Sequence, residues 1–271
     1  MYSHGLELHL TELPKPKKLR LDKLLVDRGL AASRERAAAL ILSGRVLVDE
    51  QKVEKAGAPV SPDAVIRLLG EDIRFVSRGG LKLEHALAHW QIDLAGRSCV
   101  DIGASTGGFT DCMLQSGAAH VLAVDTGYGQ IAQKLRDDLR VSLRERCNAR
   151  LLTPGELVSE AAGANFIAMD VSFISATLVL PAILAALAQQ GRSWQGEAVI
   201  LIKPQFEAGR EHVGKGGIVR EQAGRQIAID RVRTCVASLQ GSEIDVIDSP
   251  ILGMEGNQEF LLHARFTGSG S

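Results

Sequence analysis

Two apolar runs of this chain end abruptly on a charged residue. The stretch AVILIKPQF, Ala198 to Phe206, places Lys203 after five aliphatic residues, and NFIAMD ends on Asp170 in the same way. Lysine is seldom fully buried, so Lys203 either reaches solvent from a strand end or works as a functional amine. Pro204 fixes φ at the exit and biases Lys203 toward extended geometry, which indicates a side chain with a defined direction.

Charged residues recur at equivalent places along the chain. Four apolar runs each end on one of them: Asp101, Asp125, Asp170 and Lys203. Ligand-binding and catalytic groups of open α/β sheets gather at the carboxyl ends of the strands. Glu259 begins the last apolar run and reaches the same edge if that strand is antiparallel. Lys82, in the helical stretch GGLKLEHALAHW, is close enough in sequence to the sheet to join them.

The predicted catalytic set comprises two amines and two acids: Lys82, Asp170, Lys203 and Glu259. A lysine amine has a reference pKa of about 10.4. It acts as a base only if desolvation or a second cation removes its proton, and as an electrostatic guide only if carboxylates hold it. Either role suits an alcohol whose proton is removed or steered while its oxygen attacks a methyl sulfonium, because the leaving thioether is neutral.

The stretch VDIGASTGGFT predicts a cofactor-binding turn between a strand and a helix. Gly103 and Gly107 let the backbone turn tightly and approach a ligand, with Ser105 between them. The spacing differs from the GxGxxG of dinucleotide sites. Asp101 could accept a hydrogen bond from a cationic amine, and Asp125 could accept hydrogen bonds from two ribose hydroxyls. The pattern therefore indicates a nucleoside-containing cofactor, although a purely structural turn is the alternative.

Strand-like runs alternate with helices from about residue 80 onwards. The runs are SCVDIGA, HVLAVDTG, VSLRERC, NFIAMDVSF, AVILIKP, SEIDVIDSP and EFLLHARF. This alternation predicts an α/β fold over residues 78–266, with a doubly wound, mostly parallel seven-stranded sheet covered on both faces. The short loop ILGMEGNQ before the last run permits an antiparallel final pair.

Residues 17–77 predict a small α+β domain of two helices and a β-ribbon. Ser33 is a candidate N-cap for RERAAALILSG. Residues 15–45 hold nine Lys or Arg against three Asp or Glu, which favours a polyanion as partner. The alternative is a solvated helix face that binds nothing. The candidate RNA contacts are Lys18, Arg20, Lys23, Arg34, Arg36 and Arg45.

Composition narrows the class of protein. The net charge of −1 and 45% hydrophobic content are typical of soluble globular chains. Four scattered cysteines without CxxC spacing favour reduced thiols in the cytoplasm. The most apolar stretch, residues 176–188, is shorter than the about 20 residues that a membrane span needs. No signal peptide is recognised, and residues 267–271, TGSGS, are interpreted as a flexible tail.

Three weaker patterns remain. His85 and His89 have the i, i+4 spacing of a zinc pair but lack a third ligand, so packing is favoured and no metal is predicted. Phe173 either stacks on a base or packs in the core, and the core is favoured. The stretch GREHVGKGGIV, with Arg210, Lys215 and Arg220, either contacts RNA phosphates or serves as a simple connector.

The motifs resemble known families. Residues LRLDKLLVDRGLAASRERAAALILSGRVLVD resemble the S4-type RNA-binding domain, and VDIGASTGGFT with VDTG resembles the S-adenosylmethionine-dependent methyltransferase fold. The order Lys82, Asp170, Lys203, Glu259 resembles the K-D-K-E tetrad of FtsJ-like ribose 2′-O-methyltransferases. SRGGLKL, DVSFIS, IKPQFEAG and GNQEF resemble the TlyA family of rRNA ribose methyltransferases, whose members are often called haemolysins. The resemblance spans residues 17–266.

The resemblance implies an rRNA (cytidine) 2′-O-methyltransferase that uses S-adenosyl-L-methionine and acts on ribosomal RNA or ribosomal subunits. Lys203 would lie nearest the target hydroxyl, with Asp170 near the transferred methyl. Cys147 and Asn148 would flank the adenine. The implied cofactor contacts are Asp101, Gly103, Ser105, Gly107, Asp125, Asn148 and Asp170. A non-catalytic RNA-binding or ribosome-assembly factor and a membrane-active haemolysin are the alternatives.

Overall fold

The chain folds into two compact units in a computed structural model, which describes residues 18–31, 33–69, 74–189, 192–253 and 256–267. The division falls between residues 72 and 73. Phe75 is buried in the core of the second unit, so that unit begins before residue 78. Residues 268–271 of the predicted tail lie outside the described residues.

The first unit contains the two predicted helices, α1 (Leu21–Asp27) and α2 (Arg34–Leu42). The side chain of Ser33 accepts a hydrogen bond from the backbone N–H of Arg36, which confirms the predicted N-cap. The core between helices and strands is aliphatic, with Leu25, Ile41 and Val46 fully buried.

The strands of the first unit form two small antiparallel ladders rather than one ribbon. They are β1 (Leu19–Arg20), β2 (Val46–Val48), β3 (Gln51–Lys52), β4 (Pro59–Val60) and β5 (Ile66–Leu68). β2 pairs with β3 and β5, whereas β1 pairs with β4. The extra ladder arises because the start of α1 has unpaired N–H groups, which donate to backbone oxygens of Ala56 and Ala58.

The second unit contains the predicted seven-stranded, mostly parallel sheet. Its strands are β6 (Ser98–Ile102), β7 (His120–Val124), β8 (Val141–Arg144), β9 (Ala164–Met169), β10 (Gly196–Ile202), β11 (Gly241–Asp248) and β12 (Phe260–Phe266). Their order is β11-β12-β10-β9-β6-β7-β8. β12 runs antiparallel to both of its neighbours, an arrangement that the short preceding loop permits for the final pair.

Helices cover both faces of this sheet. They are α3 (Gly79–His89), α4 (Gly108–Gln115), α5 (Gln133–Arg136), α6 (Ala176–Leu187), α7 (Pro204–Glu207) and α8 (Gln222–Ser238), with 3₁₀ turns at Ala149–Leu151 and Arg210–His212. Successive residues of β10 alternate between the two faces, with Val199 in one core cluster and Ile200 in the other. A strand buried on both faces explains the continuous aliphatic run before Lys203.

The strand order reverses direction at the centre of the sheet. The chain steps outward from β6 to β7 and β8, then returns to β9 on the other side of β6. A crevice at the carboxyl ends of the strands is expected where such a reversal occurs. The ends of β6 and β9 lie beside each other there, because the N–H of Asp170 donates to the oxygen of Ile102 at 2.9 Å.

Candidate active site

An ion pair joins the two charged residues that follow β9 and β10. Nζ of Lys203 lies 2.5 Å from Oδ1 of Asp170. The angles of that contact are not those of a hydrogen bond. The same ammonium donates a hydrogen bond to Oγ of Ser172 at 2.6 Å. Lys203 is only 9% exposed, so its amine is held between two groups of the β9 segment and does not extend freely into solvent.

A second pair lies at the same edge of the sheet. Nζ of Lys82, on α3, donates to Oε2 of Glu259 at 2.5 Å across 177 residues of sequence. Both side chains are buried, with 10% and 3% of their surfaces exposed. A buried charge without a partner is costly, so each of these residues stabilises the other in place.

Strand register brings the two pairs together. β10 and β12 pair antiparallel with Ile202 opposite Phe260, so the next register position sets Lys203 opposite Glu259. We call Lys82, Asp170, Lys203 and Glu259 the charged tetrad. The positive charges of its two ammonium groups cancel the negative charges of its two carboxylates. This pairing allows four charged groups to occupy a site that is largely shielded from water.

Asp101 is the most deeply buried acid of the sheet. It is fully buried at the end of β6, and its Oδ2 accepts a hydrogen bond from Oγ1 of Thr110 at 2.6 Å. Its Oδ1 has no hydrogen-bond partner among the described residues. Burial raises the pKa of the Asp101 carboxyl to about 7, and the Thr110 bond opposes that rise. An unpartnered buried carboxylate oxygen fits a cationic amine as ligand.

The glycine turn after β6 packs tightly against its surroundings. Gly103 has φ +86°, and a Cβ there would collide with the backbone oxygen of Asp170. Gly107 has φ +95°, and a Cβ there would meet the side chain of Leu135. Any other L residue would be strained at both positions. The turn therefore lies directly against the backbone of a tetrad residue.

Asp125 forms one wall of a pocket beside this turn. Its carboxylate accepts hydrogen bonds from the N–H groups of Ser105 at 2.8 Å and Gly127 at 2.6 Å. Each oxygen retains a further lone pair for a ligand hydroxyl. The pocket is lined by Ala104, Ser105, Ala123, Asp125, Gly127, Gln130, Ile131, Leu143 and Glu145. The lining thus combines apolar walls with two acids, Asp125 and Glu145.

Asn148 lies exposed after β8 and begins a 3₁₀ turn. Its Oδ1 accepts a hydrogen bond from the N–H of Arg150 at 3.2 Å. Its side-chain amide nitrogen makes no hydrogen bond to a described residue, so that nitrogen remains able to donate.

A larger cavity lies elsewhere, near Gly163, Asn165 and Trp194 at the amino ends of β9 and β10, and none of the predicted site residues lines it.

The predicted RNA contacts all lie in the first unit. Lys18, Arg20, Lys23 and Arg34 are exposed, whereas Arg36 and Arg45 are partly buried. Asp22 orients two of these cations. It accepts two hydrogen bonds from Arg20, at 3.0 and 2.7 Å, and one from Arg34 at 3.1 Å. The hydrogen bonds from Arg20 hold the pKa of the Asp22 carboxyl below its usual range.

The sequence interpretation of Phe173 is wrong. A core position was favoured, but the ring is 93% exposed. The reason lies in the backbone: Phe173 follows the end of β9 and adopts φ +64°, so the chain turns at the edge of the sheet and does not continue beneath it. The ring lies 5.6 Å from that of Phe206. Phe206, three residues after Lys203 in the chain, is partly exposed, so an exposed ring and a partly exposed ring lie side by side at this edge.

Sequence reasoning missed three polar residues that support the site. Ser172 contacts Lys203, Thr110 contacts Asp101, and Glu207 is a buried acid one helical turn after Lys203. Each lies within ten residues of a strand end. A search for polar residues near every predicted strand end would have found them, but their partners come from distant parts of the chain.

The glycine-rich stretch after Lys203 is anchored to the tetrad edge. Asn257 is fully buried. It accepts a hydrogen bond from the N–H of Val219 at 2.9 Å and donates one to the oxygen of Gly217 at 2.9 Å. This stretch is thus fixed against the segment that carries Glu259.

The described part of the chain contains neither a membrane-spanning helix nor a metal-binding cluster. None of its helices is long and apolar enough to cross a membrane. Within those same residues, no three His, Cys, Asp or Glu side chains converge in a way that could hold a metal ion.

Comparisons with known proteins agree with this geometry. The FtsJ-like methyltransferase family matches residues 75–266, and the S4 domain matches residues 19–66. The 16S/23S rRNA (cytidine-2′-O)-methyltransferase TlyA of Mycobacterium tuberculosis is 42% identical over 252 residues, which cover 92% of this chain and 90% of that protein. Hemolysin A of Brachyspira hyodysenteriae is 39% identical, covering 90% of this chain and 99% of that protein.

A solved structure from Streptococcus thermophilus, of a protein assigned as a hemolysin, is also similar. It superposes with a TM-score of 0.69 at 42% identity and covers 93% of this chain and 89% of that one. The family match spans most of the second unit, and the relatives extend over both units. The chain belongs to the TlyA family of FtsJ-like methyltransferases and carries an S4 domain before its methyltransferase domain.

Proposed function

We propose that this protein transfers a methyl group from S-adenosylmethionine to the 2′-hydroxyl of a cytidine ribose in ribosomal RNA. The observation that carries the proposal is the charged tetrad, in which Lys203 is paired with Asp170 beside the buried Lys82–Glu259 pair. The cytidine and the rRNA substrate are suggested by the TlyA relative, whose name states them.

The residues around the glycine turn fit the cofactor. The free Oδ1 of Asp101 would accept the cationic amine of the methionine part. Asp125 would accept the ribose hydroxyls, and the backbone at Gly103, Ser105 and Gly107 would lie along the ligand. Asn148 would border the adenine. When bound, S-adenosylmethionine supplies an electrophilic methyl group on a positively charged sulfur.

Lys203 is proposed to bind the target hydroxyl. Its ammonium, held by Asp170 and Ser172, would donate to the 2′-oxygen and stabilise the negative charge that develops there as the oxygen attacks the methyl group and the hydroxyl proton is released to water. Asp170, next to the glycine turn, would orient that amine and border the transferred methyl. Lys82 and Glu259 would keep the local charge balanced. Because the leaving thioether is neutral, positioning and hydroxyl activation supply most of the rate.

RNA binding is proposed for both units. The exposed cations of the first unit, above all Arg20 and Arg34, would contact phosphates of folded rRNA. Phe173, with Phe206 beside it, would contact a base near the target ribose.

The proposal is tested with ribosomal RNA, separated subunits and whole ribosomes as substrates, using S-adenosylmethionine that carries a labelled methyl group. After alkaline hydrolysis, 2′-O-methylation leaves the label in an alkali-resistant dinucleotide. Label recovered only on a base would contradict the ribose assignment. Failure of all three substrates to accept label, with the cofactor bound, would favour a non-catalytic RNA-binding factor.

A further inference from the structure

Glu207 is a buried acid that the proposed chemistry does not use. It ends α7, four residues after Lys203, and is 2% exposed. Its Oε2 accepts a hydrogen bond from Oγ of Ser175 at 2.5 Å, and its Oε1 accepts one from the N–H of Ala176 at 2.6 Å. Both partners lie in the segment that follows Asp170.

Two chain segments are therefore joined at two polar attachments, in addition to the contact between the rings of Phe173 and Phe206. Residues 203–207 follow β10, and residues 170–176 follow the neighbouring strand β9. Lys203 joins their near ends through Asp170 and Ser172. Glu207 joins their far ends through Ser175 and Ala176. The attachment through Lys203 includes the groups proposed for the chemistry, whereas the attachment through Glu207 is buried and takes no part in it.

The environment of Glu207 makes this second attachment specific. The carboxylate lies at the amino end of α6, where N–H groups and the helix dipole favour a negative charge. Ser175 already caps that helix by accepting from the N–H of Thr177, so its hydroxyl hydrogen is available to Glu207. From α8, Arg231 donates to the backbone oxygen of Glu207 and not to its carboxylate.

Burial raises the pKa of the Glu207 carboxyl, and the bonds from Ser175 and Ala176 oppose the rise. Those two bonds are therefore the main compensation for burying this acid. Because Glu207 fixes the two segments to each other, it also fixes the residues that they carry. Those residues include Asp170 and Lys203, the two groups proposed to contact the substrate.

We propose that Glu207 is a positioning residue for methyl transfer: by fixing residues 170–176 against residues 203–207, it holds Lys203 in contact with Asp170. The inference rests on the proposed function of Lys203 and Asp170. Without Glu207, the polar contacts left between the two segments would be those of Lys203 with Asp170 and Ser172, and small displacements of such groups slow catalysis by roughly a hundredfold.

Three variants separate the hydrogen bonds of the Glu207 side chain from its negative charge. Glu207→Ala removes both bonds and should lower kcat by roughly ten- to a hundredfold. Glu207→Gln can still accept from Ala176 and donate to Ser175, whose hydroxyl can turn to Oγ1 of Thr177 at 2.6 Å, so its kcat should stay within about threefold of the wild type. Ser175→Ala, which leaves the Ala176 bond, should have an intermediate kcat and serves if Glu207→Ala does not fold.

A matched control lies at the other end of the same strand. Glu197, near the start of β10, accepts from Arg97 at 2.8 Å and contacts His263 at 3.2 Å. Glu197→Ala removes a comparable carboxylate network far from the tetrad. It should lower the Tm, as Glu207→Ala does, while kcat stays at the wild-type level. The dissociation constant for S-adenosylmethionine, measured by calorimetry, should stay within about twofold in both variants.

The double variant Lys203→Ala/Glu207→Ala gives the decisive readout. Because Glu207 acts through Lys203, its loss should reduce the residual single-turnover rate of Lys203→Ala by less than about twofold. Full multiplication of the two losses, or a kcat for Glu207→Ala that matches the Glu197→Ala control, would overturn the inference. If instead Lys203→Ala alone retains wild-type turnover, the proposed function of the tetrad fails, which is a different result.

Discussion

The two units of this protein differ in how far their paired charged side chains are exposed to solvent. In the methyltransferase unit, three residues of the tetrad are buried and Asp170 is partly exposed, and each ammonium is paired with one carboxylate. In the S4 unit, the buried acid Asp22 binds Arg20 and Arg34, whose side chains remain 57% and 58% exposed. We propose that the first arrangement holds charges for chemistry at fixed distances and that the second presents them to a large anionic partner. We therefore expect variants of the two units to affect different steps.

Loss of the tetrad amine should have the largest effect. Lys203→Ala removes the group proposed to bind the 2′-oxygen, so kcat should fall by roughly a hundred- to ten-thousandfold. Affinity for S-adenosylmethionine and for RNA should change by less than about threefold. Single-turnover methylation and separate binding titrations measure these quantities.

Lys134 supplies the control for that variant. It pairs with Asp111 at 2.9 Å but is 55% exposed, so Lys134→Ala removes an ion pair of the same unit without touching the tetrad. Its turnover should equal that of the wild type. Near-normal turnover in Lys203→Ala would mean that the buried pairs serve stability and not chemistry.

Neutralising the buried acid of the glycine turn should affect cofactor binding. Asp101→Asn removes the negative charge proposed to face the cationic amine, so the dissociation constant for S-adenosylmethionine should rise roughly ten- to a hundredfold. Calorimetry measures this change directly. Asp111→Asn, another acid that is 4% exposed, is the matched control, and an equal loss of affinity in the two variants would argue against a specific role for Asp101.

The exposed cations of the S4 unit should affect RNA affinity alone. The double variant Arg20→Ala/Arg34→Ala should weaken binding of rRNA by about tenfold and reduce the salt slope of log Kd by about 1.5, because two phosphate contacts are lost. The rate at saturating RNA should not change. Arg67→Ala, which removes an exposed arginine paired with Glu50, is the control. An unaltered salt slope in the double variant would exclude phosphate contacts at these positions.

The smallest effect expected is a pH dependence of cofactor binding. Asp101 has its pKa raised to about 7 in the free protein, and a cationic amine favours the ionised carboxylate. Affinity should therefore increase as pH rises, by about eightfold between about pH 6 and about pH 7.5. Asp101→Asn should abolish most of that increase, and an equal slope in both proteins would assign the titration to another group.

The same shift has a consequence for stability in the absence of ligand. The pKa of the Asp101 carboxyl is 3.8 when it is unperturbed and about 7 in the folded protein. Between those values the unfolded chain has lost the proton that the folded protein retains. This group therefore makes the free energy of unfolding decrease as pH rises from about 4 to about 7.

Much of the methyltransferase unit could be predicted from sequence because its signals are local. Continuous aliphatic runs predict doubly buried strands, and the run ends locate Asp101, Asp125, Asp170 and Lys203 at one edge. Topology then supplies the rest, since parallel strands align their carboxyl ends. The short loop before β12 permitted an antiparallel final pair, and the structure shows the antiparallel strand that brings Glu259 to that edge.

What could not be predicted depends on long-range contacts and on backbone detail. Nothing local marks Glu207 as the partner of Ser175, 32 residues earlier. The sign of φ at Phe173 decides whether its ring enters the core, and a hydrophobic pattern does not encode that sign. In the S4 unit, β1 forms because α1 leaves N–H groups that must find acceptors, which is a tertiary requirement.

The central claim is that the charged tetrad promotes methylation of a ribose hydroxyl of ribosomal RNA. The most direct test treats unmethylated ribosomal subunits with labelled S-adenosylmethionine and either wild-type protein or Lys203→Ala, followed by alkaline hydrolysis. We predict label in an alkali-resistant dinucleotide with the wild type and none with Lys203→Ala, although both proteins bind the cofactor. Label confined to a base, or equal label with both proteins, would contradict this account.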